Sequence, residues 1–131
     1  MVSIGNPHIV VLTDDLNDSQ FHALGPFLVA HPALAHGANL QLATPIDSGS
    51  CRALIWERGV GPTSTSGTSS CAVAVAMVER GLIAPGHVRV RMPGGEFKVT
   101  VSEDFDVLLR GPVEAVCNGQ LSDQLLSLLN P

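Results

Sequence analysis

Residues 71–78 read Cys-Ala-Val-Ala-Val-Ala-Met-Val, a helical run with no polar side chain on any face. A helix that is apolar all round offers nothing to water and must be enclosed by other elements. At about a dozen residues it is too short to span a bilayer, which takes about 20. Before it, a predicted strand ends in Trp56-Glu57-Arg58 and a stretch of glycines and hydroxyl residues follows, Gly59-Val60-Gly61-Pro62-Thr63-Ser64-Thr65-Ser66. The first N–H groups of a helix lack internal acceptors and sit at the positive end of its dipole, which suits them to a carboxylate or a phosphate. The sequence therefore predicts an anion site at the mouth of a buried helix.

Composition bounds the rest. With 131 residues, 45% hydrophobic and 15% charged, the chain is long enough for one folded domain over residues 1–131 and too apolar to be disordered. Only 4% of residues are aromatic and none is tyrosine, so Val, Leu, Ile and Ala must build the core. A formal charge of −5, with seven Lys and Arg spread along the chain, argues against nucleic acid as a partner. No basic-then-apolar leader or membrane segment is recognisable, and the expected location is the cytoplasm. Neither the three cysteines (Cys51, Cys71, Cys117) nor the five histidines have metal-ligand spacing, so neither disulfides nor a metal site are expected.

Along the chain, residues 8–12 read as a short strand, and Asn17-Asp18-Ser19 caps a helix carrying Phe21, Leu24, Phe27 and Leu28, kept short or irregular by Pro26. Residues 39–46 and 51–56 form a hairpin across Asp47-Ser48-Gly49. Arg80-Gly81 ends the buried helix. Val88, Val90 and Met92 alternate with Arg89 and Arg91. After Pro93-Gly94-Gly95, Phe97, Val99 and Val101 alternate with Lys98 and Thr100. Further strand segments are expected at 107–109 and 113–117, and an amphipathic turn or two at 123–129. Many strands around one helix predict an α+β fold, a strongly curved and mostly antiparallel sheet wrapped around a central buried helix.

The succession Gly5-Asn6-Pro7-His8, Asn39, Trp56-Glu57-Arg58-Gly59-Val60-Gly61, Ser66-Gly67-Thr68, Pro93-Gly94-Gly95-Glu96 and Gly111-Pro112 resembles diaminopimelate epimerase over nearly the whole chain. The resemblance is to the second half of that enzyme. The family has two related halves, each a curled sheet around a helix, with the active site between them. There, two cysteines face each other across the substrate Cα and move its proton without a cofactor. The resemblance implies that one of those cysteines falls at Ser66, and that the first half, with the other, lies outside this chain. It also puts Pro62 where a glutamate is usual. A thiol is readily ionised at a helix N-terminus, whereas an alcohol gives almost no oxyanion at neutral pH without a base.

The resemblance assigns catalytic positions to Ser66, Glu57 and His8, and substrate contacts to Asn6, Asn39, Arg58, Gly67 and Thr68. Each has a plainer reading. Ser66 is a natural helix cap, Gly67 a turn residue, Asn6 and Asn39 turn asparagines, Glu57 and Arg58 solvated charges, and His8 a structural histidine. Cys71, inside the helix, is a core residue. The expected function is a cofactor-independent isomerase, cyclase or lyase acting on a small carboxylate-bearing molecule. In it Glu57 or His8 serves as acid/base and Ser66 as hydrogen-bond donor. A half of this kind leaves apolar surface bare, so a homodimer or a separately encoded first-half partner is expected. The rival readings are a binding or scaffold module without turnover, and one piece of a split or truncated epimerase.

Overall fold

The computed structural model describes residues 1–129. A two-residue strand β1 (Val2–Ser3) precedes β2 (Pro7–Leu12), and helix α1 (Asp18–Val29) leads to β3 (Asn39–Asp47) and its hairpin partner β4 (Ser50–Glu57). Short β5 (Gly61–Thr63) folds back on β4 and introduces helix α2 (Gly67–Glu79). The meander β6 (Gly86–Met92), β7 (Gly95–Val101) and β8 (Val107–Arg110) follows, and then helix α3 (Asp123–Leu129). All strands join one sheet in the order β1-β2-β3-β4-β6-β7-β8, with β5 attached to β4. Two pairings, β2 with β3 and β4 with β6, are parallel, and the rest are antiparallel. The sheet curls into a half-barrel around α2, as the apolar run requires.

The packing explains the curl. Val73, Ala74 and Met77 of α2 are fully buried and join one core cluster with Ala53 and Ile55 of β4, Val88 and Val90 of β6, and Val99 and Val101 of β7. On β6 the buried Val88, Val90 and Met92 alternate with exposed His87, Arg89 and Arg91, which is the two-residue period of a half-buried strand. Helix α2 stops as expected. Leu82 N–H donates to Met77 C=O and Gly81 N–H to Val78 C=O, with Gly81 at φ 68° supplying the left-handed residue of this C-cap.

Several expectations need correcting. Pro26 lies inside α1 without stopping it, and the helix runs twelve residues. Proline removes only the N–H that would reach the exposed His22 carbonyl, and burial of Phe21, Gly25 and Val29 holds the helix on the sheet. Gly25 sits so close to Trp56 that a methyl there would meet the indole at 2.3 Å, so the helix face is centred on Gly25 and leaves Phe27 63% exposed. Residues 113–117 form no strand; β8 already occupies the edge of β7, and nothing pairs with the segment beyond it. The turns at 123–129 do form α3, but it buries no residue. The basic residues, dispersed in sequence, are not dispersed in space: register brings Arg52, Arg89, Arg91, Lys98 and Arg110 to the outer face of β4, β6, β7 and β8.

Among the described residues no helix is long and apolar enough to cross a membrane, and no cluster of three or more His, Cys, Asp or Glu could hold a metal.

Because α2 supplies the core and α3 none of it, Met77→Ala should lower unfolding free energy by about 2–5 kcal/mol. Leu128→Ala, at a position 73% exposed, should change it by less than about 0.5 kcal/mol. Urea denaturation distinguishes the two; equal losses would mean that the C-terminal helix is packed in solution.

Candidate functional site

The N-terminus of α2 is open. Its first hydrogen bond runs from Ser70 N–H to Ser66 C=O at 3.0 Å, so the N–H groups of Gly67, Thr68 and Ser69 precede the ladder. Ser66 occupies the N-cap in extended conformation (φ −154°, ψ 127°), yet its hydroxyl makes no capping bond. The plain capping role is therefore not the one this side chain plays. Leu109 of β8 lies against the mouth: a methyl on Gly67 would meet its Cδ2 at 2.9 Å, a contact that a shift of the leucine side chain relieves.

From this mouth a chain of hydrogen bonds runs inward. Ser69 Oγ accepts from Gln41 Nε2 at 3.0 Å, and the same amide nitrogen donates to His8 Nδ1 at 3.0 Å. His8 Nε2 lies 3.0 Å from Asn6 Oδ1. A carbonyl oxygen only accepts, so the proton sits on Nε2, Nδ1 is the acceptor, and the ring is neutral. His8, Gln41 and Ser69 are all fully buried. Desolvation holds the His8 pKa below its ordinary value, opposed by the Gln41 bond and by the half-buried Glu57 carboxylate. Gln41 Oε1 is buried with no donor among the described residues, a cost of about 1–3 kcal/mol that native proteins tolerate mainly for a reason.

Asn39 and Arg58 form a second group. Asn39 stands opposite His8 in the β2–β3 register and accepts the Arg58 backbone N–H at 2.9 Å. The Arg58 guanidinium donates to the His36 carbonyl, in the connection between α1 and β3. Of the positions anticipated from sequence, Asn6 and His8 are thus in direct contact, Glu57 is coupled to His8 through its charge, and Ser66, Gly67 and Thr68 cluster at the helix mouth. Asn39 and Arg58 are tied to each other beside them.

Gln41 and Ser69 went unnoticed in the sequence. The available signal was a lone amide in Leu40-Gln41-Leu42-Ala43, a strand segment otherwise apolar and buried. The two buried thiols are not alternatives to Ser66: burial pushes Cys51 up to about 12 and also raises Cys71, so both stay protonated. A concavity of about 660 Å³ lined by Val10, Leu12, Val75, Glu79 and Phe105 lies toward the other end of α2, away from these groups.

The family model for diaminopimelate epimerase matches residues 1–116. The chain belongs to the diaminopimelate epimerase family. It is 43% identical over 120 residues to the diaminopimelate epimerase of Desulforudis audaxviator, covering 91% of this chain and 43% of that one. It is 34% identical over 119 residues to the Bacillus cereus enzyme, covering 90% and 41%. The chain thus spans less than half the length of these curated relatives. Among solved structures, a Bacillus anthracis phenazine biosynthesis protein of the PhzF family superposes with a TM-score of 0.59 at 15% identity, over 79% of this chain and 33% of that one. At that identity the likeness concerns the fold alone, and it is the half-barrel around a helix that the two share.

The neutral, buried His8 makes a signed prediction. On acidification the unfolded chain takes up a proton at about pH 6.5 while the folded ring resists until lower pH, so the unfolded state binds more protons. The His8 contribution to stability is complete above about pH 6.5, is lost as pH falls toward the folded pKa, and then levels off. Urea midpoints at pH 7.5 and 5 should fall further for the wild type than for His8→Asn. Equal falls would mean that His8 titrates normally.

Proposed function

We propose that this chain binds a small carboxylate-bearing molecule at the α2 N-terminus and, with a second half, acts on it as a cofactor-independent isomerase, cyclase or lyase. The observation that carries the reading is the hydrogen-bond chain joining that helix mouth to a neutral histidine beside a carboxylate. The unpaired amides of Gly67 and Thr68 hold the carboxylate, aided by roughly 0.3–1 kcal/mol from the helix field. Ser66, whose hydroxyl is free of capping, donates a hydrogen bond to the substrate. Glu57 or His8 serves as the acid/base: the half-buried carboxylate takes a proton, and the neutral His8, held by Asn6 and Gln41, lies within reach of its charge. Asn6 holds His8, and Asn39 with Arg58 reaches the distal end of the substrate.

In this reading the chain corresponds to the second half of the epimerase fold, works in the cytoplasm, and completes its cleft as a homodimer or with a separately encoded first half. The bare apolar surface supports a partner: Leu108 is 54% exposed, Val113 95% and Val116 93%. A non-catalytic binding module is the second reading. It is favoured by Asn39 and Asn6 being engaged with the protein's own groups, and by an alcohol standing where the resemblance implies a thiol.

Cα hydrogen–deuterium exchange of diaminopimelate and other amino dicarboxylates, followed by proton NMR in D2O, tests the catalytic reading. Exchange should be present and drop about 10²–10⁴-fold in Glu57→Gln. Ser66→Cys should raise it. Binding without exchange in every variant, with or without a first-half partner, would sink catalysis and leave the binding module.

A further inference from the structure

The outer face of the sheet, turned away from α2, carries its own chemistry. Arg89 of β6 lies directly opposite Lys98 of β7, and Lys98 directly opposite Arg110 of β8. Three cations thus stand in one row across three adjacent strands, roughly 10 Å from end to end at the usual strand spacing. Like charges in direct cross-strand register repel. The neutralisation is thin. Asp47 is 4.0 Å from Arg89, at the limit of an ion pair, and its oxygens already accept from Gly49 N–H and Ser50 O–H. Among the described residues Lys98 and Arg110 make no ion pair. The same three side chains line a depression of about 460 Å³ with Gly49, His87 and Thr100. Arg52 and Arg91 lie beside it on the same face, Arg91 paired with Glu96 at 3.0 Å, so five of the chain's seven Lys and Arg share one face of a protein whose net charge is −5.

We propose that this depression binds a small molecule bearing a diphosphate group, held by Arg89, Lys98 and Arg110. A lone carboxylate cannot meet three cations, whereas two linked phosphoryl groups place several anionic oxygens along the row. The two arginines can grip them in bidentate fashion while the lysine contributes a point charge between them. The depression has the size of a small-molecule site, and a nucleic-acid strand would meet the acidic remainder of the surface. The site lies on the opposite face from the α2 mouth and does not rest on the function proposed for that mouth.

Titration calorimetry of the wild type with inorganic pyrophosphate, a nucleoside diphosphate and orthophosphate tests the assignment. Both diphosphates should bind, and orthophosphate more weakly. Tighter binding of the nucleoside diphosphate would mean that the depression also takes an organic moiety; equal affinity would identify the inorganic group as sufficient. Lys98→Gln and Arg110→Gln should each weaken binding about tenfold or more, and Arg80→Gln, on α2's exposed end, should not. In phosphate-free buffer Lys98→Gln should melt no lower than wild type, because relieving the repulsion offsets any lost packing. Absence of diphosphate binding, binding that survives both substitutions, or tight binding of duplex DNA alone would overturn the proposal.

Discussion

The burial of α2 is the constraint on which the rest of the structure depends. With Val73, Ala74 and Met77 fully removed from water, every side of this helix needs an apolar neighbour, and one flat sheet covers only one side. The sheet must therefore curl, and the twist between its strands supplies the curvature. Closing around a helix also fixes where polar chemistry can survive. Most of the helix is packed against the sheet, with Val75 and Ala76 lining a concavity on one flank; its C-terminus is closed by the Gly81 cap, and its first amides precede the hydrogen-bond ladder. The exposed helix N-terminus, with its unpaired amides, is thus a by-product of enclosing an apolar helix.

Period-two alternation divides the sheet into two chemistries. Inward residues of β6 and β7 are mainly valines, with Met92 and Phe97, that join the core with α2, while the outward positions include Arg89, Arg91, Glu96 and Lys98. Because each strand contributes one outward cation at the same level, the charge that looks dispersed in one dimension becomes a row in three. Composition alone, with acidic residues outnumbering basic ones, conceals this.

The same distinction explains what was legible in the sequence. Local signals read well: the alternation at 88–101, the hairpin at 47–49, the Asn17 cap and the apolar helix depend on neighbours within a few residues. The segment 113–117 looked equally strand-like, but a strand exists only with a partner, and pairing is a property of the whole sheet. Pro26 suggests a short or irregular helix because the local rule is sound, yet packing of Phe21 and Gly25 against Trp56 outweighs one lost hydrogen bond. At the site, Ser66, Gly67 and Thr68 lie at the helix mouth and Asn6 contacts His8, but Gln41, which links His8 to the helix through Ser69, spans 33 residues to His8 and 28 to Ser69. No periodicity announces such a contact.

The chemistry then turns on the difference between an alcohol and a thiol at position 66. A helix terminus contributes at most a kcal/mol or two toward ionising a group beside it. That is enough to bring a thiol, with a pKa of about 8.5, into its ionised form near neutrality, and far too little for an alcohol. In the proposed reading, proton transfer at this half-site therefore leans on side chains other than Ser66. In the function proposed above that role falls to Glu57 or to His8, whose burial keeps the ring neutral. In the same proposed reading Ser66, whose hydroxyl makes no capping bond, serves as a hydrogen-bond donor to the substrate. The reactive asymmetry of the site lies in the strand residues, with the helix contributing the field.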